Sequence, residues 1–140
     1  FIACVSAEDK LSHYISYMAA EVGFPVASKT GVYSSDSTPF ADKGIPAVSF
    51  ARIAGGNVAP IHCRYDLKDV MSMEQLQRDI DFLAIFTDRF ANAAVCPVAR
   101  EIPEDIKKQL DEYLSPGAYP MVNELSVPGS YGYEAGQNTQ

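Results

Sequence analysis

The sequence predicts an α/β chain of three layers, a sheet between two sets of helices, and three observations predict it. Short β-prone apolar runs alternate with helical periods between residues 1 and 93. The run Ile45-Pro46-Ala47-Val48-Ser49-Phe50 is apolar almost throughout, which reads as a strand covered on both faces, as in a parallel sheet. At 140 residues, with 47% hydrophobic and 21% charged residues, the chain has the size and composition of one globular domain. A disordered, collagen-like or coiled-coil chain is excluded on the same grounds.

Residues 1–5 (FIACV) are apolar and suit a short buried strand that belongs inside a longer polypeptide. Ser6 is a good N-cap, and Glu8 and Asp9 fill the first turn of a helix predicted over 7–22. Leu11, Tyr14, Ile15, Met18, Ala19 and Val22 recur on one face of it. Gly23 and Pro25 stop it. Val26 to Lys29 reads as a short strand, and Thr38 to Gly44 as one helical turn with Pro39 at its first position. Residues 53–61 (IAGGNVAPI) form a Gly-rich loop. Ser72-Met73-Glu74-Gln75 is a capping box that opens a long helix over 73–93. Its predicted inner stripe is Leu76, Ile80, Leu83 and Phe90, flanked by Phe82, Ile85 and Phe86. Pro103 begins a second helix, with Ile106, Leu110 and Leu114 facing inward. Residues 94–116 therefore read as a helical extension of the α/β part, and 117–140 as an irregular tail without period. Four tyrosines fall between 113 and 133, which favours contact of the tail with protein over free solvation.

Eleven basic against eighteen acidic residues give a net charge of −7, so neither a nucleic-acid partner nor an anionic membrane is expected. No apolar run approaches the about 20 residues of a membrane helix, and no basic segment precedes an apolar one as in a secretory leader. Cys4, Cys63 and Cys96 form no CxxC pair and no disulfide framework. They read as reduced thiols, Cys4 and Cys96 buried, which favours a reducing, cytoplasmic setting, with one disulfide plus one free thiol as the alternative.

The chemistry-bearing residues concentrate between 33 and 69. Ser35-Asp36-Ser37 precedes the apolar strand, and Ile61-His62-Cys63-Arg64-Tyr65-Asp66 follows its far loop. Loops at the carboxyl ends of strands build the sites of open α/β sheets, and a neutral imidazole is the commonest side-chain metal ligand. Asp66 stands four residues after His62, where it can orient the imidazole or cap the turn. The plainer readings are a surface histidine, a turn aspartate at Asp36, and solvated or paired Arg52 and Arg64. Ser34, Ser35 and Ser37 lack a nucleophile-elbow pattern, and Gly55-Gly56 alone is no phosphate loop.

SSDSTPFADKGIPAVSFAR, a loop, IHCRYD and a capped long helix together resemble the C-terminal part of the zinc aminopeptidase family, which includes bacterial aminopeptidases, glutamate carboxypeptidases and glutaminyl cyclases. The family's similar order is S-D-x-x-P-F, then G-I-P, then H-T-x-x-D. The resemblance covers residues 1–93 and is most specific over 35–66. It implies a partial α/β/α zinc-exopeptidase-like sheet and removal of N-terminal residues by two zinc ions. It places one zinc ligand at His62 and Asp36 near the site without ligating. Asp66 becomes a supporting residue, and Asp36, Tyr65 and Arg52 line the substrate pocket. Cys63 stands where the family usually has Thr, and Ser37 where many members have His.

The family's other ligands and its general base come from a first His, a bridging Asp, a Glu-Glu pair and another Asp, all ahead of the matched segment. This chain has no H-x-D and no Glu-Glu. A catalytic zinc needs three protein ligands and a two-metal site more, so the chain alone is expected to be inactive and to bind zinc weakly at most. The resemblance therefore implies a C-terminal fragment of a metallopeptidase with a peptide substrate. Open strand edges would pair as a homodimer or swapped assembly. The alternatives are a non-catalytic interaction module of the same fold, and an enzyme of two polypeptides.

Overall fold

A computed structural model describes residues 1–52, 62, 64 and 66–115. The Gly-rich loop, Cys63, Tyr65 and the tail over 117–140 lie outside the described residues. The chain is an α/β protein with a three-stranded mixed sheet. In order it runs β1 (Ile2–Ser6), α1 (Asp9–Glu21), β2 (Ala27–Thr30), α2 (Ser37–Asp42) and β3 (Ala47–Ala51). A 3-10 turn (Lys68–Val70), α3 (Met73–Ala91) and α4 (Glu104–Leu114) follow. No helix of the described residues is long and apolar enough to cross a membrane.

β1 is the central strand, parallel to β2 and antiparallel to β3. The apolar run at 45–50 suggested a parallel strand, and its direction is the correction. Val48 and Phe50 pack into the main core, while the Ser49 hydroxyl meets Ser37 at the start of α2. Successive side chains point to opposite faces, so β3 is covered on both sides. Two-sided cover makes a strand apolar whichever way it runs.

The core lies on the face that carries Ala3, Val5, Val48 and Phe50, under Leu11, Ile15, Met18 and Ala19 of α1 and Phe82 and Phe86 of α3. Phe24 and Phe82 stack with centroids 4.3 Å apart, and Phe1 meets Phe24 edge-on at 5.1 Å. Edge-to-face and stacked rings add to the hydrophobic gain of burying them.

The helix ends follow local chemistry. After α1, Phe24 N–H donates to Ala19 O (2.8 Å) and Gly23 N–H to Ala20 O (3.2 Å), with Gly23 at φ 68°. After α2, Ile45 N–H donates to Phe40 O (3.0 Å) and Gly44 N–H to Ala41 O (2.9 Å), with Gly44 at φ 75°. Both are Schellman closures, which need a left-handed residue where glycine carries no steric penalty. Ser72 caps α3 by accepting from Gln75 N–H at 3.3 Å.

Three local readings are corrected. Ser6 ends β1 and donates to Gly31 O (3.0 Å), so the N-cap of α1 passes to Glu8. The inner face of α3 carries Asp79, Phe82 and Phe86, while Ile80 and Ile85 are exposed. Cys96 is exposed, whereas Cys4 is buried as expected.

The segment read as an extension is tied to the rest of the chain. Val98 joins the main core, and Ile102, Ile106 and Leu110 bury Ala41 of α2, while Leu114 is exposed. Val32 N–H donates to Gln109 Oε1 (3.3 Å), and Tyr113 donates to Ser34 Oγ (2.8 Å). α4 thus holds the loop that precedes α2.

Candidate functional site

The loop Tyr33–Asp36 is folded by its own hydroxyls. Thr38 Oγ1 and Ser35 Oγ both donate to Tyr33 O, at 2.8 and 3.2 Å, and Thr38 N–H donates to Ser35 O at 3.1 Å. Such short side-chain bonds to nearby backbone are what favour Ser and Thr in turns. They aim Ser35 and Ser37 at β3. There Ser35, Ser37 and Ser49 close a triangle of hydroxyls, with Oγ···Oγ distances of 2.7, 2.5 and 2.7 Å.

This triangle borders a cleft of about 530 Å³ between the start of α2 and β3. Tyr33, Asp36 and Phe40 form its wall, and Ala47 to Phe50 its floor. Asp36 is exposed, with a helical backbone (φ −64°, ψ −11°), and its carboxylate makes no cap bond. Sequence reasoning found Asp36 and passed over Ser49, whose signal was its place as the one hydroxyl in the apolar run Ile45–Phe50. A serine nucleophile needs a base within hydrogen-bond reach. Among the described residues the partners of these three hydroxyls are one another, the Ser37 N–H and the Tyr33 carbonyl, a set that can bind and position and includes no base to activate a nucleophile.

Arg52 lies elsewhere. Its Nε donates to Asp79 Oδ2 (2.7 Å), its Nη2 donates to Asp79 Oδ1, and its guanidinium stands 5.6 Å from the Phe1 ring centroid. The Asp79 hydrogen bond raises the already high pKa of Arg52, outweighing desolvation, so the guanidinium stays charged. Phe1 and Asp79 belong to the α1–α3 side, so the structure does not bring Arg52 to the Asp36 cleft.

His62 is exposed and sits at φ 57°, in the left-handed region that L residues other than Asn, Asp and His seldom enter. Asp66 Oδ2 accepts from the His62 main-chain N–H at 3.3 Å, so the carboxylate caps the turn. Tyr65, the remaining predicted pocket residue, lies outside the described residues. The buried thiol of Cys4 has its pKa pushed up by desolvation, partly offset by Lys29, which keeps it protonated and inert.

Among the described residues the donors gathered at one point are too few for a zinc pair. Among the described residues no three His, Cys, Asp or Glu side chains converge on a point that could hold a metal ion. His62 offers one imidazole, and Asp66 spends an oxygen on the backbone. No family model matches the chain, and no curated protein or solved structure matches it either.

Proposed function

We propose that the chain is the C-terminal part of a zinc-dependent aminopeptidase-like hydrolase, whose remaining ligands and general base come from a preceding part of the intact enzyme. The observation that carries this reading is the order and spacing of SSDSTPF, GIP and IHCRYD. The positions of those motifs support it. Asp36 opens α2, Ile45-Pro46 leads into β3, and His62 stands beyond that strand's far loop in a turn closed by Asp66. The reading also places the mixed sheet within a larger three-layer α/β/α architecture. In the intact enzyme His62 would serve as one metal ligand, Asp66 would hold its turn, and Asp36 would face the substrate. No catalytic step belongs to this chain alone, because it lacks both the ligand set and a general base.

The test is the coding sequence upstream of the Phe1 codon. The reading predicts an open frame that encodes an H-x-D, a Glu-Glu pair and a further Asp. A frame that lacks them turns the chain into the non-catalytic module of the same fold.

A further inference from the structure

The floor of the Asp36 cleft is four consecutive residues of one strand, Ala47 to Phe50. Side chains on a strand alternate between faces, so a lining that takes in all four reaches the strand's own main chain at its edge. One edge of β3 is filled by β1, and among the described residues no strand pairs with the other. The strand sequence AVSFA carries no charge or proline, the residues that usually blunt an open edge. On the wall stands Asp36, exposed and with no hydrogen bond or ion pair among the described residues, whereas neighbouring Asp42 is paired with Lys43. Phe40 and Tyr33, 56% and 37% exposed, supply aromatic surface beside it, and among the described residues no basic one lines the cleft.

From these features we infer that the cleft binds an extended peptide as an added strand along the outer edge of β3, with a lysine or arginine side chain of the peptide on Asp36. Main-chain hydrogen bonds to the edge give affinity in this mode, and side-chain pockets give specificity. The Asp36 carboxylate and the aromatic faces favour a cation over an anion, and the serine hydroxyls can accept from it. The inference needs no residue outside this chain, so it stands independently of the zinc-peptidase reading.

The test is an amide-resolved NMR titration of the chain with a heptapeptide of alternating Val and Thr around a central Lys. Both peptide ends are capped, so no terminal amine is present. The amides of Ala47–Ala51 should shift. A Glu in place of the Lys should weaken binding, and Asp36→Asn should lower affinity for the Lys peptide roughly fivefold. Asp36→Lys should reverse the preference between the two peptides. Because Asp36 is exposed and unpartnered, both variants should keep the parent spectrum outside the cleft. N-methylation of alternate peptide amides along one edge should abolish binding. The inference is overturned by shifts absent from Ala47–Ala51 or an unchanged preference in Asp36→Lys. It is equally overturned by binding that survives N-methylation, or by edge shifts that follow protein concentration alone, which would put a second copy there.

Discussion

Replacing Arg52 by Met separates a structural role from a substrate-pocket role. The Asp79 side chain is 11% exposed and accepts two hydrogen bonds from the Arg52 guanidinium. The variant keeps most of the apolar stem against Phe1 but strands a carboxylate with no cation. Breaking a fully buried pair in this way costs about 3–5 kcal/mol. Arg52 itself is 34% exposed, so solvent screens the pair and its contribution is discounted toward that of a surface bridge. The expected loss is therefore about 2 kcal/mol, against a total stability on the order of 10 kcal/mol. Arg52→Lys keeps the charge but loses the two-pronged geometry, and should fall between the parent and Arg52→Met. Adding Asp79→Leu to Arg52→Met removes the stranded charge and should restore at least about 1 kcal/mol. Urea unfolding followed by circular dichroism reads all four chains. A loss below about 0.5 kcal/mol for Arg52→Met, or no recovery in the double variant, would refute the reasoning.

Other predictions reach different parts of the chain. Ile106 is 1% exposed against Ala41, Ile102 and Leu110, so Ile106→Ala should cost about 2–5 kcal/mol while unfolding stays a single transition. Two separate transitions would show α4 to be an independent appendage. At φ 57° a β-branched residue is strained, so His62→Val should destabilise by about 1–2 kcal/mol while His62→Gly stays near the parent, both measured by urea unfolding. Equal effects of the two would remove the left-handed assignment. The hydrogen bond and charge of Arg89 hold Glu21 below its ordinary value of 4.5. A carboxylate with a depressed folded pKa stabilises above its unfolded pKa and loses that contribution as pH falls through the folded one. Glu21→Gln should therefore narrow the gap to the parent below about pH 4.5, and added salt should narrow it at neutral pH. A gap independent of pH and salt would contradict the pairing.

What the sequence made legible was chemistry completed within a few residues. Gly23 and Gly44 stop their helices, and Ser72 caps α3, by bonds that span at most five positions. Ser6 misled because its hydroxyl had a better partner 25 residues away in Gly31, across the β1–β2 edge. On α3 the predicted Leu83, Phe90, Phe82 and Phe86 do meet the core, and the reading failed at Ile80 and Ile85 for a similar reason. Asp79 lies on the buried side because Arg52, 27 positions earlier, pairs with it there, beside Phe82 and Phe86 in the core, while Ile80 is left exposed. Strand direction was hidden because burial on both faces leaves the same apolar trace in parallel and antiparallel strands. At the site, Asp36 could be picked out from its motif, whereas the hydroxyl triangle joins Ser49 to Ser35 and Ser37 across 14 and 12 positions, a distance that only the sheet closes.

The most direct test of the central claim is the zinc content and aminopeptidase activity of the polypeptide encoded by the whole reading frame, before and after His62→Ala. The account predicts two zinc ions per chain in the parent. In the variant it predicts one ion lost and activity reduced by orders of magnitude, with the fold kept. An unchanged zinc content in the variant, or a parent with no zinc at all, would contradict it.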